Sequence, residues 1–348
     1  MAYTTVDDPT IYFTTNLRNG LYGGSDTAFN IGFQPDWIWD KRRSDTSVHA
    51  LYDSVRGFGS SGKVLCSNNN NAEATNALID SVSSTGFTIK ASSDNTGTLV
   101  DWCWKAGTAF SNDASATSVG SIDSSGSVNT TTGFSIISYT GTGSAGTIAH
   151  GLGSTLSLYI VKNRDDSAAW RVFVYLLGAN KILRLSTTHA ESTDTGMWNN
   201  TLATSSVFSV GTPAQVNTSG EKYIAYCFAD VKGFSKVGSF VGNGNADGPF
   251  VYTGFKPAWI LTKKATETSE WHIYDNKRVT INPNNNVLSP NLDAADSINA
   301  NCNTDFLSNG FKLRNTNDNR NDTGETHIYM AFAESPFVNS NGVPTNAK

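Results

Sequence analysis

One segment of this chain occurs twice without a gap. Residues 32–56 return as residues 254–278, at a shift of 222 positions. The shared motif consists of aromatic residues, proline and one acid–base pair, and its two copies are Phe33, Pro35, Trp37, Tyr52, Asp53 and Arg56, and Phe255, Pro257, Trp259, Tyr274, Asp275 and Arg278. Such residues build a folded module, and no catalytic set of side chains recurs with them. The repeat therefore favours a multi-module scaffold or binding protein over an enzyme.

The middle of the chain carries a third and more divergent copy. Lys162 and Trp170 align with Lys263 and Trp271 of the last copy at a shift of 101 positions. Each copy closes on a similar segment, at residues 100–104, 224–228 and 328–332. The repeating unit is about 100 residues long, which is the size of a small domain.

We therefore predict three modules, which span residues 1–110 with an N-terminal segment, 133–232 and 233–335. The stretch 111–132 is rich in serine, threonine and glycine, so it is either a linker or an edge strand of a module. Residues 336–348 form a polar C-terminal tail.

The closing segments alternate in the manner of β-strands. Val100, Trp102 and Trp104 share one face, while Asp101 and Cys103 share the other. Strand patterns and polar turns recur along the chain, and residues 71–80 are the best candidate for a helix. The pattern predicts an all-β fold of three tandem antiparallel β-sandwich modules, of jelly-roll or lectin-like type.

Composition excludes several classes of function. The net charge is −5 and only 16% of residues are charged, which argues against a nucleic-acid partner. No run of 18 apolar residues is present, so we expect no membrane span. The first residues do not resemble a secretory signal. The spacing of histidine and cysteine matches no metal site, and no cofactor motif has the required strand and helix around it, so we predict no metal, no cofactor and no catalytic residues.

A candidate ligand site lies in a polar stretch of the middle copy. Trp198 stands there without strand alternation and is followed by Asn199 and Asn200. An aromatic ring in such a position is either a stacking platform for a sugar or a ring packed on the edge of its own module. The Tyr-Asp-x-x-Arg motif has the same two interpretations, as a ligand holder or as a lock on a turn. The asparagine-rich loops are turn tips, unless they bind sugar or calcium.

The combined motifs identify a resemblance. The Gly-Phe-x-Pro-x-Trp-Ile start, the Tyr-Asp-x-x-Arg continuation, the Tyr-Thr-Gly-Thr-Gly-Ser stretch and the ending at residues 328–333 resemble the repeat-containing virion structural proteins of marine bacteriophages. That family is similar to concanavalin-A-like lectin sandwiches. The likeness extends from about Tyr12 to the C-terminus.

The resemblance implies a structural protein of the phage particle, assembled in the host cytoplasm and located in the virion. A tail fibre or host-attachment protein is one form, and a capsid fibre or decoration protein is the other. A carbohydrate-binding module or carbohydrate-active enzyme is the alternative outside that family. The expected partners are other capsid or tail proteins, further copies of the chain in a homo-oligomer, most simply a trimer, and a host cell-surface glycan.

Overall fold

The fold is described from a computed structural model, which covers residues 3–21, 24–92 and 95–345. The prediction of an all-β protein is confirmed, because the pairs between its named strands are antiparallel and its α-helices span four residues each. These helices are α1 (Ala114–Thr117), α2 (Ala214–Asn217) and α3 (Asp318–Asn321). Short 3₁₀ turns lie at Pro9–Ile11, Gly59–Ser61, Tyr175–Leu177 and Ala300–Cys302.

The first unit contains an inner sheet of six strands and an outer sheet of three. The inner order is β1-β9-β3-β4-β5-β6 and the outer order is β2-β8-β7. The strands are β1 (Phe13–Asn19), β2 (Thr27–Asn30), β3 (Trp37–Arg42), β4 (His49–Asp53), β5 (Lys63–Cys66), β6 (Ala74–Thr75), β7 (Ile79–Ser83), β8 (Gly86–Ile89) and β9 (Thr98–Trp104). Residues 71–80, predicted as a helix, instead contain β6 and the start of β7, so that prediction is wrong.

The second unit has an inner sheet of eight strands in the order β10-β11-β12-β19-β14-β15-β16-β17, and an outer pair β13-β18. The strands are β10 (Thr108–Asn112), β11 (Ser124–Asn129), β12 (Phe134–Thr140), β13 (Gly146–Ala149), β14 (Leu158–Asn163), β15 (Arg171–Val174), β16 (Lys181–Arg184), β17 (Ser192–Thr193), β18 (Val207–Val210) and β19 (Lys222–Phe228). The stretch 111–132 therefore contributes edge strands to this sheet, and position 110 falls inside β10.

The third unit has an inner sheet in the order β20-β28-β22-β23, an outer sheet β21-β27-β26 and a small ribbon β24-β25. The strands are β20 (Ser235–Val241), β21 (Phe250–Tyr252), β22 (Phe255–Lys264), β23 (Trp271–Asp275), β24 (Asn286–Val287), β25 (Ser297–Ile298), β26 (Thr304–Leu307), β27 (Gly310–Leu313) and β28 (Thr326–Pro336). The C-terminal tail folds back on the chain, where the Ser340 amide donates to Asp7.

The three inner sheets share one register at their centre. The closing strands β9, β19 and β28 lie between two equivalent neighbours, which are β1 and β3, β12 and β14, and β20 and β22. Within these sheets the paired residues are Trp37 with Trp104, Leu158 with Phe228, and Trp259 with Phe332. Equivalent positions can therefore be assigned by strand pairing as well as by sequence shift.

The inner sheets pack against one another around a single hydrophobic core. Trp104, Phe228 and Phe332, one from each closing strand, all belong to it and are at most 3% exposed. The rings of Phe228 and Phe332 lie 6.0 Å apart, and those of Trp104 and Phe332 lie 5.6 Å apart. Alternation places the bulky face of each closing strand in this shared core, while the opposite face packs in a separate core under the outer sheet of its own unit.

Loops of neighbouring units form backbone hydrogen bonds with each other, and these contacts link the three units in a closed ring. The amides of Ala168, Ser269 and Ser47 donate to the carbonyls of Asn70, Thr188 and Asp293, which belong to the preceding unit in each case. Three residues further along the same loops, the amides of Glu73, Glu191 and Asp296 donate back to Arg164, Ala265 and Arg43. Because these are backbone bonds, the contact survives changes of side chain between copies.

Charged side chains reinforce two of the three joints. Glu73 forms a two-pronged pair with Arg164 of the second unit, with distances of 2.9 and 3.0 Å. Asp296 contacts Arg43 of the first unit at 2.8 Å. At the remaining joint Ala265 stands in the arginine position, and Glu191 pairs with Lys181 of its own unit at 2.9 Å.

The Tyr-Asp-x-x-Arg motif adds buried side-chain hydrogen bonds to the same two joints. Asp53 accepts the Arg56 amide at 2.8 Å and its Nε at 2.6 Å, which locks the turn after β4. The Tyr226 hydroxyl of the second unit donates to the same carboxylate at 2.7 Å. In the third unit Asp275 holds Arg278 in the same way and accepts Trp102 Nε1 of the first unit at 3.1 Å.

The third joint replaces this polar set with apolar residues. Val174 and Leu177 occupy the positions of Asp53 and Arg56, and Met330 occupies the position of the donor Tyr226. Val174 and Met330 are 1% exposed and belong to the shared core. The donor and the acceptor are lost together, which leaves neither group buried without a partner.

We predict that Asp53→Asn lowers the free energy of unfolding by at most about 3–5 kcal/mol, because it leaves the buried Arg56 guanidinium with only its longer contact of 3.4 Å to the Glu73 carboxylate. The triple variant Asp53→Val, Arg56→Leu, Tyr226→Met copies the apolar joint and should recover most of that loss. Urea unfolding of both variants measures the difference. A triple variant less stable than Asp53→Asn would show that the joints are not equivalent.

Candidate functional site

The interior of the first unit differs chemically from the interiors of the other two. Arg18 on β1, Asp40 on β3 and Asp101 on β9 point towards the outer sheet and are at most 6% exposed. The equivalent positions hold Tyr139, Val161 and Ala225 in the second unit, and Phe240, Thr262 and Tyr329 in the third. Because uncharged residues fill these three positions in the other two copies, the fold does not require an ion cluster there. Buried charges that the fold does not require mark a candidate site.

The cluster is organised around one guanidinium. Arg18 Nε lies 3.0 Å from Asp101 Oδ2, and Arg18 Nη2 lies 2.5 Å from Asp40 Oδ2. Arg18 Nη1 donates to Asn95 Oδ1 at 2.7 Å, and Asn16 Nδ2 donates to Asp101 at 2.9 Å. Each nitrogen of the guanidinium group therefore has an oxygen partner.

Two carboxyl groups share this single cation, and one of them, Asp40, has a perturbed pKa. Burial raises the pKa of Asp40 to about 8, while Arg18 acts in the opposite direction and the neighbouring Asp101 carboxylate adds to the rise. Burial therefore disfavours the charged form of Asp40. A protonated carboxyl can donate a hydrogen bond as well as accept one.

A cleft of about 170 Å³ opens beside the cluster. Its polar lining includes Asp40, Arg42, Ser47, Asn76 and Asn95, and its apolar lining includes Val48, Val64, Leu78 and Leu99. The Asp40 side chain is 8% exposed and that of Asp101 is 0% exposed, so Asp40 is the carboxyl that faces the cleft. Ligand pockets for drug-sized molecules span roughly 300–1,000 Å³, so this cleft suits a single small group of a larger ligand.

Asn95 adds an unused donor to the cleft. The residue is 2% exposed, its Oδ1 accepts from Arg18, and its Nδ2 has no hydrogen-bond partner among the described residues. Leaving a buried amide donor unpaired costs about 1–3 kcal/mol, and an acceptor on a ligand would remove that cost. Asn95 and Asp40 both line the cleft, so an amide and a carboxyl belong to its polar wall.

The chemistry of the other lining groups is unreactive. Cys66 borders the cleft, but burial raises the pKa of its thiol, which keeps sulfur in its poorly nucleophilic form. Within residues 3–21, 24–92 and 95–345, no group of three or more histidine, cysteine, aspartate or glutamate side chains is arranged to hold a metal ion.

Trp198 is not a surface platform, and its burial agrees with the second of its two interpretations, a ring packed on its own module. Its side chain is 0% exposed, and its Nε1 donates to the Lys181 carbonyl at 3.0 Å. The ring packs edge-on against Tyr159 at 5.0 Å inside the second unit. Asn199 and Asn200 are exposed in a left-handed turn, with φ of 50° and 45°. Strand alternation could not reveal this burial because the residue lies in a turn that folds inward.

The residues of the repeat motif lie in the structural framework. Phe33, Trp37, Phe255 and Trp259 are at most 1% exposed, and Asp53 and Asp275 act as turn locks at the unit joints. They do not meet in one site. The structure instead brings together the Arg18 cluster, which sequence reasoning missed. The signal was present in the closing segments, where Asp101 aligns with Ala225 and Tyr329.

We predict that Asp40→Asn gains stability relative to the wild type as the pH rises. The pKa of this carboxyl is about 8 in the folded protein and about 3.9 in an unfolded chain, so the wild type loses stability as the pH rises through that interval. Asparagine has no proton to release. Urea unfolding at several pH values between about 5 and 8 measures the difference, with Asp45→Asn at an exposed carboxylate as the control. A difference that stays constant or shrinks would contradict the assignment.

Among the described residues, no helix is long and apolar enough to cross a membrane. Two comparisons with known proteins bear on the identity of the chain. No curated protein matches the sequence. A family model matches residues 8–336, and this span includes the strands of all three units. The chain therefore belongs to the family described as a domain of unknown function (DUF7483).

Proposed function

We propose that this protein is a structural protein of a bacteriophage particle that is exposed on its surface, as a tail fibre or host-attachment protein or as a capsid fibre or decoration protein. It binds a ligand and does not catalyse a reaction. The sequence resemblance supports the location. The observation that carries the binding role is the cleft beside Arg18, where Asp40 and the unpaired Asn95 amide face a small opening.

The geometry of the two carboxyl groups favours binding over glycoside hydrolysis. A hydrolytic pair flanks its substrate at a separation of roughly 5–9.5 Å. Asp40 and Asp101 instead hold the same guanidinium and hydrogen-bond each other, and the Asp101 side chain is fully buried. No sugar ring fits between them.

The donors of the cleft suit a hydroxyl-bearing ligand such as a host cell-surface glycan. A hydroxyl group both donates and accepts, which matches the Asn95 amide and the Asp40 carboxyl. The apolar wall of Leu78 and Leu99 suits the C–H face of a sugar ring. One weak cleft per chain becomes effective when many copies are displayed on one particle.

The expected homotrimer remains part of the proposal. The chain already arranges three related units around one core, so three-fold contact does not by itself require three chains. Light scattering of the isolated protein, together with its arrangement on the particle, decides between a single chain and a homo-oligomer.

Location is tested on purified particles of the phage that encodes the chain. Mass spectrometry and gold-labelled antibodies should detect the protein on intact virions. Its presence in the infected-cell lysate but not in purified particles would contradict the proposal.

Binding is tested at the rim of the cleft. Val48 is 42% exposed there, so Val48→Trp should cover the opening without disturbing the core. We predict that this variant lowers binding to host-cell surface polysaccharide at least tenfold while the melting temperature is unchanged. Leu202→Trp, at a residue 37% exposed in the second unit, is the matched control. Equal binding by both variants would exclude the cleft, and turnover of the polysaccharide would exclude a purely binding role.

A further inference from the structure

Two arginines face each other on neighbouring strands of the second unit. Arg171 on β15 pairs with Arg184 on β16 in the antiparallel register. By strand alternation their side chains lie on the face of Phe173 and Ile182, which pack under the outer sheet. Like charges directly opposite each other on adjacent strands are destabilising, so this pair calls for a compensating partner.

The first of these arginines is buried without a counterion. Arg171 is 8% exposed, and its Nε and Nη1 have no hydrogen-bond partner among the described residues. No carboxylate among the residues that the structure describes lies within ion-pair distance of Arg171 or Arg184. By contrast, Arg18, Arg56, Arg164 and Arg278 each have a carboxylate partner. Asp194 favours the charged form of Arg171 from a distance, but its own Oδ1 accepts the amides of Gly196 and Met197.

An unpaired buried guanidinium destabilises the folded state, and Arg171 does not avoid this by losing its proton. Burial, and after it the charge of Arg184, lower the pKa of Arg171 to about 10, which still leaves the group charged at neutral pH. Removing one partner of a buried ion pair is strongly destabilising for this reason.

The fold does not require arginine at either position. The first unit has Ala50 and Cys66 there, and both residues line its cleft. The third unit has His272, which is equivalent by sequence shift. The second unit therefore has two arginines at the positions whose equivalents line the cleft of the first unit. Neither guanidinium group contributes to a joint between units.

We propose that Arg171 and Arg184 form a binding site for an oxyanion group, such as a sulfate, phosphate or carboxylate carried by an acidic ligand. The buried guanidinium supplies donors that are already desolvated, and Arg184, which is only partly buried, supplies the second charge on the solvent side. This site is separate from the cleft of the first unit and takes a charged group, whereas that cleft suits a hydroxyl group.

Anion titrations at constant ionic strength test the proposal. Sodium sulfate, sodium phosphate and sodium acetate are added at low millimolar concentration in place of sodium chloride, and thermal unfolding is followed for the wild type, Arg171→Met and Arg164→Met. The wild type should gain at least several degrees in melting temperature with one or more of these anions. The Arg164→Met control removes a paired arginine elsewhere and should keep that gain.

Arg171→Met should lose the gain, and in chloride alone it should be at least as stable as the wild type because it removes an unpaired charge. The Nε–H resonance of Arg171 should shift on titration with the same anion, and the anion that shifts it most identifies the oxyanion class. Sulfate and phosphate also stabilise proteins by exclusion from their surface, and that effect would be equal in all variants. An equal gain in Arg171→Met, or no gain with any of the three anions, would overturn the proposal.

Discussion

The packing of three closing strands into one core is the constraint on which the rest of the structure depends. Trp104, Phe228 and Phe332 meet there, and each inner sheet has its bulky face buried against the other two. A unit on its own would expose that face to water, at a cost of about 25 cal/mol per Å² of apolar surface. The units are therefore better understood as parts of one cooperative fold than as independent domains, and the family model that spans all of them agrees with this view.

The ring of contacts explains which positions are repeated and which have diverged. Backbone bonds such as those from Ala168, Ser269 and Ser47 recur at all three joints. The side-chain supplement is polar at two joints and apolar at the third, where Val174 and Met330 replace an acid and its donor. The layer under each outer sheet is free of this constraint, and it is the layer in which the copies differ most in charge.

Much of the framework could be predicted from the sequence, because alternation and repetition are local signals. The all-β class followed from them, and Trp37, Trp259 and Phe332, which lie in the repeated segments, are buried. The shared core could not be predicted, since alternation shows that a face is apolar but does not show whether its partner is another sheet of the same unit or of the next one. Trp198 kept two interpretations for a related reason, because a residue in a turn carries no periodicity.

The candidate cleft was less accessible from sequence. Arg18, Asp40 and Asp101 are 83 residues apart at the extremes and meet only through strand pairing. Alignment of the copies does show charge replacing uncharged residues at these positions, and that contrast is the signal by which such a site can be found in a repeated chain. Internal copies serve here as a reference for what the fold alone requires.

Native-state hydrogen exchange resolved by unit tests the central claim most directly. If the shared core makes the fold cooperative, the slowest amides of β9, β19 and β28 should exchange with the same free energy, and that value should equal the global free energy of unfolding measured with urea. The Asp53→Asn variant should lower all three values together. Different exchange free energies for the three strands, or a change confined to the first two units in that variant, would show that the units unfold separately and would contradict the account.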